Sequence, residues 1–307
     1  MGIKKLNLFL KDFSYDMLSQ FDNYHQLLQL EIDGGEKIIV AIDTNLFYYK
    51  YIKSDLKNPF EGFLNQVTRM KKFGIVPLYI IDGKSIPEKK EIVEKRKKSR
   101  RNEFINYTDL KCFFDTLNID YIHSNVESDL FIGNMYKKGE IDYCLTDDLD
   151  IMLYGCDKIL SIKNNKIYFY NINTILKNLQ MSRDNFLYMC ICMGCDYNNK
   201  LFKTNPNILY KIFVEYETIE EIISVCFSKL KSNICSIDDI KTILYTSYKI
   251  FTSPTFSNTE HKYALKQNKF IYMSFLEKKF VELNNDMINE IPLWKKKNFI
   301  YYNNILV

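Results

Sequence analysis

Acidic side chains recur at the ends of short apolar segments along this 307-residue chain. The segment 37–43 (KIIVAID) ends in Asp43, and the segment 75–82 (IVPLYIID) ends in Asp82. Ligands of open α/β sheets bind where the carboxyl ends of the strands meet, so acids at those ends are expected to share one edge. A single aspartate there is commonly only a helix N-cap, but capping alone does not explain several strands that deliver acids together. The acids of this pattern are Asp43, Asp82, Glu127, Asp129, Asp148, Asp150 and Asp196.

The spacing of these acids indicates which side chains face the same way. In an extended segment, residues two apart point to the same side, so Asp148 and Asp150 are expected to share a side while Asp147 points elsewhere. Asp196 follows the C-terminal end of a predicted helix over 182–194, where the helix dipole disfavours an anion. We therefore expect a cation close to Asp196.

Carboxylates gathered in one cleft predict bound divalent cations. They would repel one another and raise one another's pKa, and a divalent cation removes that repulsion. An all-oxygen ligand set selects Mg²⁺ or Mn²⁺ rather than zinc or copper. Two such ions about 4 Å apart can activate water and stabilise the leaving oxygen in phosphodiester hydrolysis. The predicted cofactor is therefore a pair of Mg²⁺ ions, for which Mn²⁺ is the expected substitute.

A basic segment accompanies the acids. Between Lys84 and Arg101, nine Lys or Arg residues and three Glu residues give a net charge of +6, against +4 for the whole chain. Positive charge concentrated on a nearly neutral body is typical of a phosphate-binding surface. A solvated helix face and a nuclear-localisation patch over 95–101 are the alternative interpretations, and the segment alone does not decide among them.

Alternating strand and helix patterns place these residues in an α/β fold. Four apolar runs predict buried strands, and two further runs around Asn164-Asn165 predict a hairpin. Strands buried on both faces, with helices between them, are typical of a mostly parallel twisted sheet covered by helices on both sides. The predicted strands cover 37–43, 75–82, 119–124, 141–146, 158–162 and 166–170, and the predicted helices cover 59–73, 87–102, 103–117 and 127–138.

After about residue 173 the strand signal fades and helical patterns follow one another. Thr218 and Ser236 are the expected N-caps of two of these helices. The predicted helices cover 182–194, 205–216, 218–230 and 236–251, and a helical layer is expected from residue 252 onward. We therefore predict two domains: an α/β core over 1–180 and an all-helical region over 181–307.

Composition narrows the class of protein. Hydrophobic residues make up 47% and charged residues 26%, as in a folded globular protein. No apolar run approaches the roughly 20 residues of a membrane span, and no signal peptide or membrane partner is expected.

The eight cysteines are too sparse for a disulfide scaffold. Cys190, Cys192 and Cys195 lack a second ligand pair at zinc spacing, so we expect buried thiols in a reducing intracellular compartment, either nucleus or cytoplasm.

Several short motifs, taken in order, resemble those of the flap endonuclease/XPG family of structure-specific 5′ nucleases, which have a PIN-like fold. The resemblance covers roughly residues 1–225. The motifs are Met1-Gly2-Ile3, Ala41-Ile42-Asp43, Ile81-Asp82-Gly83-Lys84, Glu127-Ser128-Asp129, Thr146-Asp147-Asp148-Leu149-Asp150 and Met193-Gly194-Cys195-Asp196-Tyr197.

This resemblance implies roles for individual residues. Asp43, Asp82, Glu127, Asp129 and Asp148 would serve one or both of two metal sites, with Asp150 and Asp196 mainly on the second. Lys89 and Arg96, seven apart and so on one helix face, would contact the scissile phosphate and stabilise its developing charge. Tyr49 would stack on a nucleobase, with core packing as the rival role. The other expected substrate-binding residues are Gly2, Lys84, Arg100, Lys200 and Lys203.

The chain also departs from the family pattern. The stretch that matches the family's glycine-rich DNA-binding hairpin, 203–207 (KTNPN), has no glycine, so lysines such as Lys203 and Lys211 are expected to anchor duplex DNA. Only 45 positions separate Asp82 from Glu127, which indicates a shortened arch formed by one basic helix. We find no C-terminal clamp-binding motif and expect a monomer.

The predicted function is Mg²⁺-dependent 5′ cleavage of branched, flapped or nicked DNA in replication, repair or recombination. Two alternatives remain open from the sequence. One is a nucleic-acid-binding scaffold of the same fold that does not cleave, against which the full set of acids argues. The other is an RNA-directed nuclease of the broader PIN-like group.

Overall fold

The computed structural model describes residues 3, 5–11, 15–16, 38–54, 59–72, 75–85, 89, 105–163, 166–198, 201–232, 234 and 236–252. The predicted basic helix 87–102, apart from Lys89, and the predicted helical layer after residue 252 lie outside these residues. Four of the predicted substrate or catalytic residues lie outside them as well: Gly2, Arg96, Arg100 and Lys200.

Within the described residues, seven strands form one sheet in the order β1-β7-β6-β5-β2-β3-β4. Strands β2 to β6 run parallel to one another, whereas β7 pairs antiparallel with β6 and with the two-residue strand β1. The predicted mostly parallel sheet and the predicted hairpin are thereby confirmed. The strands are β1 Tyr15–Asp16, β2 Ile38–Asp43, β3 Ile75–Ile81, β4 Asp120–His123, β5 Tyr143–Leu145, β6 Lys158–Lys163 and β7 Lys166–Asn171.

The central strands are buried on both faces because their side chains alternate between two hydrophobic cores. Val40 and Ile42 of β2 belong to one core, and Ala41 between them belongs to the other. On β3, Tyr79 and Leu78 divide in the same way. This alternation explains why the strands read in the sequence as continuous apolar runs rather than as a two-residue pattern.

The order of strands reverses direction at β2. From β2 the chain proceeds to β3 and β4 on one side, and β5 and β6 lie on the other side. The carboxyl ends of β2 and β5 therefore flank the crevice where ligands of such sheets bind. Asp43 is the last residue of β2, and residues 146–150 follow β5.

Helices cover both faces of the sheet, and most of them match the predicted segments. The helices are α1 Leu6–Phe9, α2 Thr44–Ile52, α3 Pro59–Lys72, α4 Tyr107–Thr116, α5 Ser128–Lys137, α6 Ile172–Leu179, α7 Arg183–Met193, α8 Pro206–Glu215, α9 Ile219–Lys229 and α10 Ile237–Thr252, with a 3-10 helix over Leu149–Met152. Three of them, α1, α2 and α6, were not predicted. The helix predicted from residue 103 begins later, at Tyr107, because the side chain of Asn106 caps it by accepting from the Asp109 N–H.

The helical region after β7 follows the predicted order, and its caps are formed as expected. Thr218 and Glu221 make a reciprocal capping box at the start of α9, and the Ser236 hydroxyl accepts from the first amides of α10. Before α8, the glycine-less stretch is held by the Lys203 N–H, which donates to the Lys231 carbonyl at 2.7 Å. The domain boundary at residues 180/181 stays a prediction. Of the helices described, none is long and apolar enough to cross a bilayer.

Candidate active site

Two of the predicted acids sit at the carboxyl ends of β2 and β3. Asp43 is both the last residue of β2 and the N-cap of α2, because its Oδ1 accepts from the Leu46 N–H at 3.1 Å. Asp82 follows β3, and each of its oxygens accepts one hydrogen bond. Oδ1 accepts from the Ser128 N–H at 2.7 Å, and Oδ2 accepts from Nδ2 of Asn45 at 2.6 Å.

The next two acids, Glu127 and Asp129, are positioned at the start of α5. The loop after β3 lies directly beside the loop that leads into this helix, with the Gly83 N–H donating to the Val126 carbonyl at 2.7 Å. A β-carbon on Gly83 would approach the Ser124 carbonyl oxygen to 2.2 Å, so this contact requires glycine. The approach of the two backbones brings both acids next to Asp82.

Asp148 and Asp150 belong to the segment that follows β5. Asp148 caps the 3-10 helix, with its Oδ1 accepting from the Asp150 N–H at 3.3 Å. Asp150 in turn accepts from the Ile3 N–H at 2.6 Å, a contact between residues 147 positions apart. As predicted, Asp147 points elsewhere: it binds Nζ of Lys50 at 2.7 Å and the Ser161 hydroxyl at 2.7 Å.

A buried lysine lies among these acids. The Lys89 side chain is only 6% exposed, and its Nζ lies 2.5 Å from Oε2 of Glu127 and 3.5 Å from Oδ2 of Asp196. The same ammonium lies 5.2 Å from the centre of the Tyr197 ring, within cation–π range. The cation expected beside Asp196 is therefore Lys89. We call the seven predicted metal-binding acids, two of which (Glu127 and Asp196) pair with Lys89, the acid cluster.

Burial and mutual repulsion keep protons on several members of the acid cluster. Burial, and then the carboxylate of Asp82, raises the pKa of Asp43 to about 8. Burial together with Asp43 raises the pKa of Asp129 well above its ordinary value, and burial together with Asp148 does the same for Asp150. Burial also raises the pKa of Asp148, with Asp196 adding to the rise. These mutual effects show that strands and helices distant in sequence bring the acids into one electrostatic unit.

The pKa of Lys89 is also raised, although burial acts on it in the opposite direction. Burial alone would lower the pKa of its ammonium, but Tyr197 and the acids Glu127, Asp129 and Asp196 outweigh that effect and raise it. Lys89 is therefore a fixed positive charge inside the acid cluster.

The acid cluster fits a divalent cation by its chemistry. Its donors are all carboxylate oxygens, the type that Mg²⁺ and Mn²⁺ prefer. Oδ1 of Asp129 is buried and has no hydrogen-bond partner, which is costly for a carboxylate unless a cation binds it. Among the described residues, no three acidic, cysteine or histidine side chains already converge as a finished metal site.

Three other predicted site residues are described by the structure, and they lie on separate elements. Tyr49 is half-buried on α2, where its ring meets that of Tyr48 edge-on at 6.2 Å. Lys84 is exposed and its backbone N–H donates to the Asn125 carbonyl at 3.3 Å. Lys203 is exposed in the stretch before α8.

Sequence reasoning missed two groups that the structure places at the acid cluster. Asn45 donates to Asp82, and the backbone N–H of Ile3 donates to Asp150. The position of Asn45, two residues after Asp43 at the start of a helix, was a signal that could have suggested the first contact. No local pattern predicts the second, because it joins opposite ends of the α/β region.

Comparison with known proteins identifies related chains. The family profile described as the XPG N-terminal domain matches residues 1–103, and the profile described as the XPG I-region matches residues 118–196. A probable flap endonuclease 1 homolog of Danio rerio is 24% identical over 222 residues, which take in 67% of this chain and 63% of that protein. This chain thus spans less than two thirds of that relative's length.

Solved structures share the fold. The catalytic core of Rad2 in complex with a DNA substrate superposes with a TM-score of 0.64 at 18% identity, covering 98% of both chains. Human GEN1 in complex with Holliday junction DNA gives a TM-score of 0.63 at 13% identity, covering 95% of this chain and 74% of GEN1. A further GEN1 structure, with product DNA and a Mg²⁺ ion, gives 0.50 at 13% identity, covering 81% of this chain and 58% of that one.

The two matched regions follow one another in the order expected from the motifs and together cover more than half of the chain. The same regions supply β2, which ends in Asp43, β3, which Asp82 follows, and the segments that carry the remaining acids. The chain therefore belongs to the XPG family, the family of the flap endonucleases.

Proposed function

We propose that this protein is a metal-dependent, structure-specific 5′ nuclease that hydrolyses phosphodiester bonds in flapped, nicked or branched DNA. The observation that carries the proposal is the acid cluster, whose members come from separate segments of the chain and meet at one edge of the sheet around the Lys89 ammonium. Family membership supports the same reaction class.

The residues proposed to hold divalent cations are those of the acid cluster. We propose two Mg²⁺ ions, because seven carboxylates exceed the charge that one divalent cation neutralises, even with Lys89 present. When bound, such cations activate water for attack on phosphorus and stabilise the leaving oxygen. The protein holds the donor oxygens in place through the Ser128 and Asn45 bonds to Asp82 and the cap formed by Asp148.

Lys89 is proposed to change partners during the reaction. In the structure its ammonium forms ion pairs with Glu127 and Asp196. With cations held by the acids, the Lys89 ammonium would be free to contact the scissile phosphate and would stabilise the charge that develops there. Arg96, in the basic segment, is proposed to act beside it. Tyr49, Lys84, Lys200 and Lys203 are proposed to contact DNA further from the cut, together with Gly2 and Arg100.

We also propose that the protein works as a monomer in a reducing compartment. The support for the compartment is the state of the cysteines: seven are free in the described part of the chain, and six of them are buried.

A panel of labelled nucleic acids tests the proposal. Flap, nicked, gapped, bubble and four-way-junction DNAs, and an RNA version of the flap, are incubated with the full chain in Mg²⁺ or in EDTA. We expect Mg²⁺-dependent incision near the branch point of at least one DNA, and product ends carrying a 5′-phosphate. Binding without incision in either Mg²⁺ or Mn²⁺ would favour the scaffold alternative, and preferential incision of the RNA flap would favour the RNA-directed nuclease.

A further inference from the structure

Asn45 holds an unusual position beside the acid cluster. It lies in the first turn of α2, and its Nδ2 donates to Oδ2 of Asp82 at 2.6 Å. Since the Ser128 N–H already binds Oδ1 of Asp82, Asn45 completes a two-point restraint on this carboxylate. A carboxylate bound at both oxygens has little freedom to rotate, so its lone pairs keep a fixed direction.

The same amide also connects Asp82 to the helix that follows the basic segment. Nδ2 of Asn45 donates to the Tyr107 hydroxyl at 3.1 Å, and Tyr107 is the first residue of α4. The Tyr107 ring stacks on His123 of β4 at 5.8 Å, and Lys111 contacts Nδ1 of that histidine at 2.8 Å. One side chain thus joins an acid of the cluster to the element on the far side of the basic segment.

The remaining atom of this amide has no partner. Oδ1 of Asn45 is buried and accepts no hydrogen bond. Rotating the amide does not resolve this, because Oδ1 would then face Oδ2 of Asp82, and two acceptors at 2.6 Å repel. A buried carbonyl without a donor is costly, so an acceptor left open beside a carboxylate points to a missing donor.

We propose that Asn45 is a positioning residue of the metal site: its amide nitrogen orients Asp82, and its carbonyl oxygen accepts a hydrogen bond from the water shell of the bound cation. Mg²⁺ and Mn²⁺ keep several waters when proteins bind them, and those waters are the donors that Oδ1 lacks. This inference rests on the proposed metal site and adds to it a residue that is not a carboxylate.

Calorimetric titration of the full chain with Mn²⁺, in the absence of DNA, tests the proposal. We expect Asn45→Leu to weaken Mn²⁺ binding about tenfold, the lower end of what loss of an outer-shell partner costs. The matched control is Asn134→Leu on α5, which removes another amide with a buried unpartnered atom and should bind Mn²⁺ within twofold of wild type. The electron paramagnetic resonance spectrum of bound Mn²⁺ should change in Asn45→Leu and not in the control.

A second variant keeps the test informative if the leucine disturbs folding. Asn45→Asp has nearly the same shape but places a carboxylate against Asp82. We expect its melting temperature to fall in EDTA and to recover on addition of Mn²⁺ by more than that of wild type, because the cation relieves the added repulsion between the two carboxylates. A recovery no larger than that of wild type would place position 45 outside the metal site and refute the proposal.

The two proposals fail in different ways. If wild type binds no Mn²⁺, the metal site itself is refuted, and the role of Asn45 goes with it. If wild type binds Mn²⁺ and Asn45→Leu binds it within twofold as tightly, with an unchanged spectrum, only the role of Asn45 is refuted.

Discussion

Carboxylates are used in opposite ways at the sheet edge and on the helical region. On the helices, Glu220 accepts from the Tyr245 hydroxyl at 2.9 Å and Asp184 accepts from the Tyr248 hydroxyl at 2.8 Å, both on the surface. The hydrogen bond from Tyr245 lowers the pKa of Glu220, whereas burial raises the pKa of Asp43 to about 8.

The difference shows which acids need a bound cation to balance their charge. The helical acids have neutral donors and water, and their contacts stabilise the fold without any ligand. The acid cluster contains carboxylates that face each other around one lysine, and one buried oxygen of Asp129 has no partner. Proteins retain such arrangements at functional sites, where a bound charge completes them. The following predictions test this contrast, beginning with the largest expected effect.

Asp148→Asn should abolish incision, by about 10³-fold or more, because a neutral amide removes a charge that the cations require. DNA affinity, measured by fluorescence anisotropy in Ca²⁺, should change by less than about threefold, since phosphate contacts dominate that affinity. Asp147→Asn is the matched control: it alters the adjacent acid, which binds Lys50 and Ser161 instead. Equal losses in both variants would refute the distinction between the two neighbours.

Lys89→Ala should lower the single-turnover rate about 10²-fold while affecting DNA affinity much less, because its charge acts in the transition state. In EDTA the variant should also be less stable, by about 3 kcal/mol, because two partly buried acids lose their cation. Added Mg²⁺ should restore much of that stability. The rate is measured by quenched flow and the stability by urea unfolding.

The control for this variant is Lys50→Ala. It breaks an ion pair with Asp147 whose side chains are 38% and 23% exposed, so its cost should stay near 0–1 kcal/mol. A pure loss of DNA affinity in Lys89→Ala, at an unchanged rate, would argue against a catalytic role.

Metal-free stability should depend on pH with opposite signs in the two regions. Asp43 has a folded pKa of about 8 and an ordinary value of 3.8. Its contribution is therefore complete below about pH 4 and is lost as the pH rises toward 8. Urea unfolding in EDTA should show stability falling from about pH 4 to 8, and excess Mg²⁺ should remove the slope. A rising slope in EDTA would contradict the raised pKa.

The smallest effect is expected on the helical surface. The lowered pKa of Glu220 contributes stability above its ordinary value of 4.5 and loses it on acidification. Glu220→Gln should therefore flatten the acid side of the stability profile slightly and leave the Mg²⁺ dependence unchanged. A shift in metal dependence would show that the two regions are coupled.

Much of the fold could be predicted because its signals are local. The runs that form β2 and β3 are apolar on both faces and are followed by or end in Asp. The helix α9 begins with a capping box, whose residues Thr218 and Glu221 are recognisable in the sequence. The helix α2 was missed because Thr44–Ile52 is rich in aromatic residues that read equally well as strand, and the Asp43 cap that starts it was interpreted as a ligand. In the structure, Asp43 caps α2 and also lies in the acid cluster.

The acids of the site could be predicted from their types and order, but their partners could not. Lys89 was expected to contact the scissile phosphate, and that contact stays a prediction; its ion pairs with Glu127 and Asp196 were not foreseen. The Asn45 contact depends on the rotation of one amide between Asp82 and Tyr107, which no periodicity encodes.

The hydrogen bond from the Ile3 N–H to Asp150 has a practical consequence for handling the protein. A peptide fused ahead of Ile3 would begin close to Asp150 and the other acids. A polyhistidine sequence there would chelate the divalent cations whose binding is being measured. Purification handles are better carried at the opposite terminus, and kinetic constants from amino-terminally tagged preparations should be compared with those of untagged material.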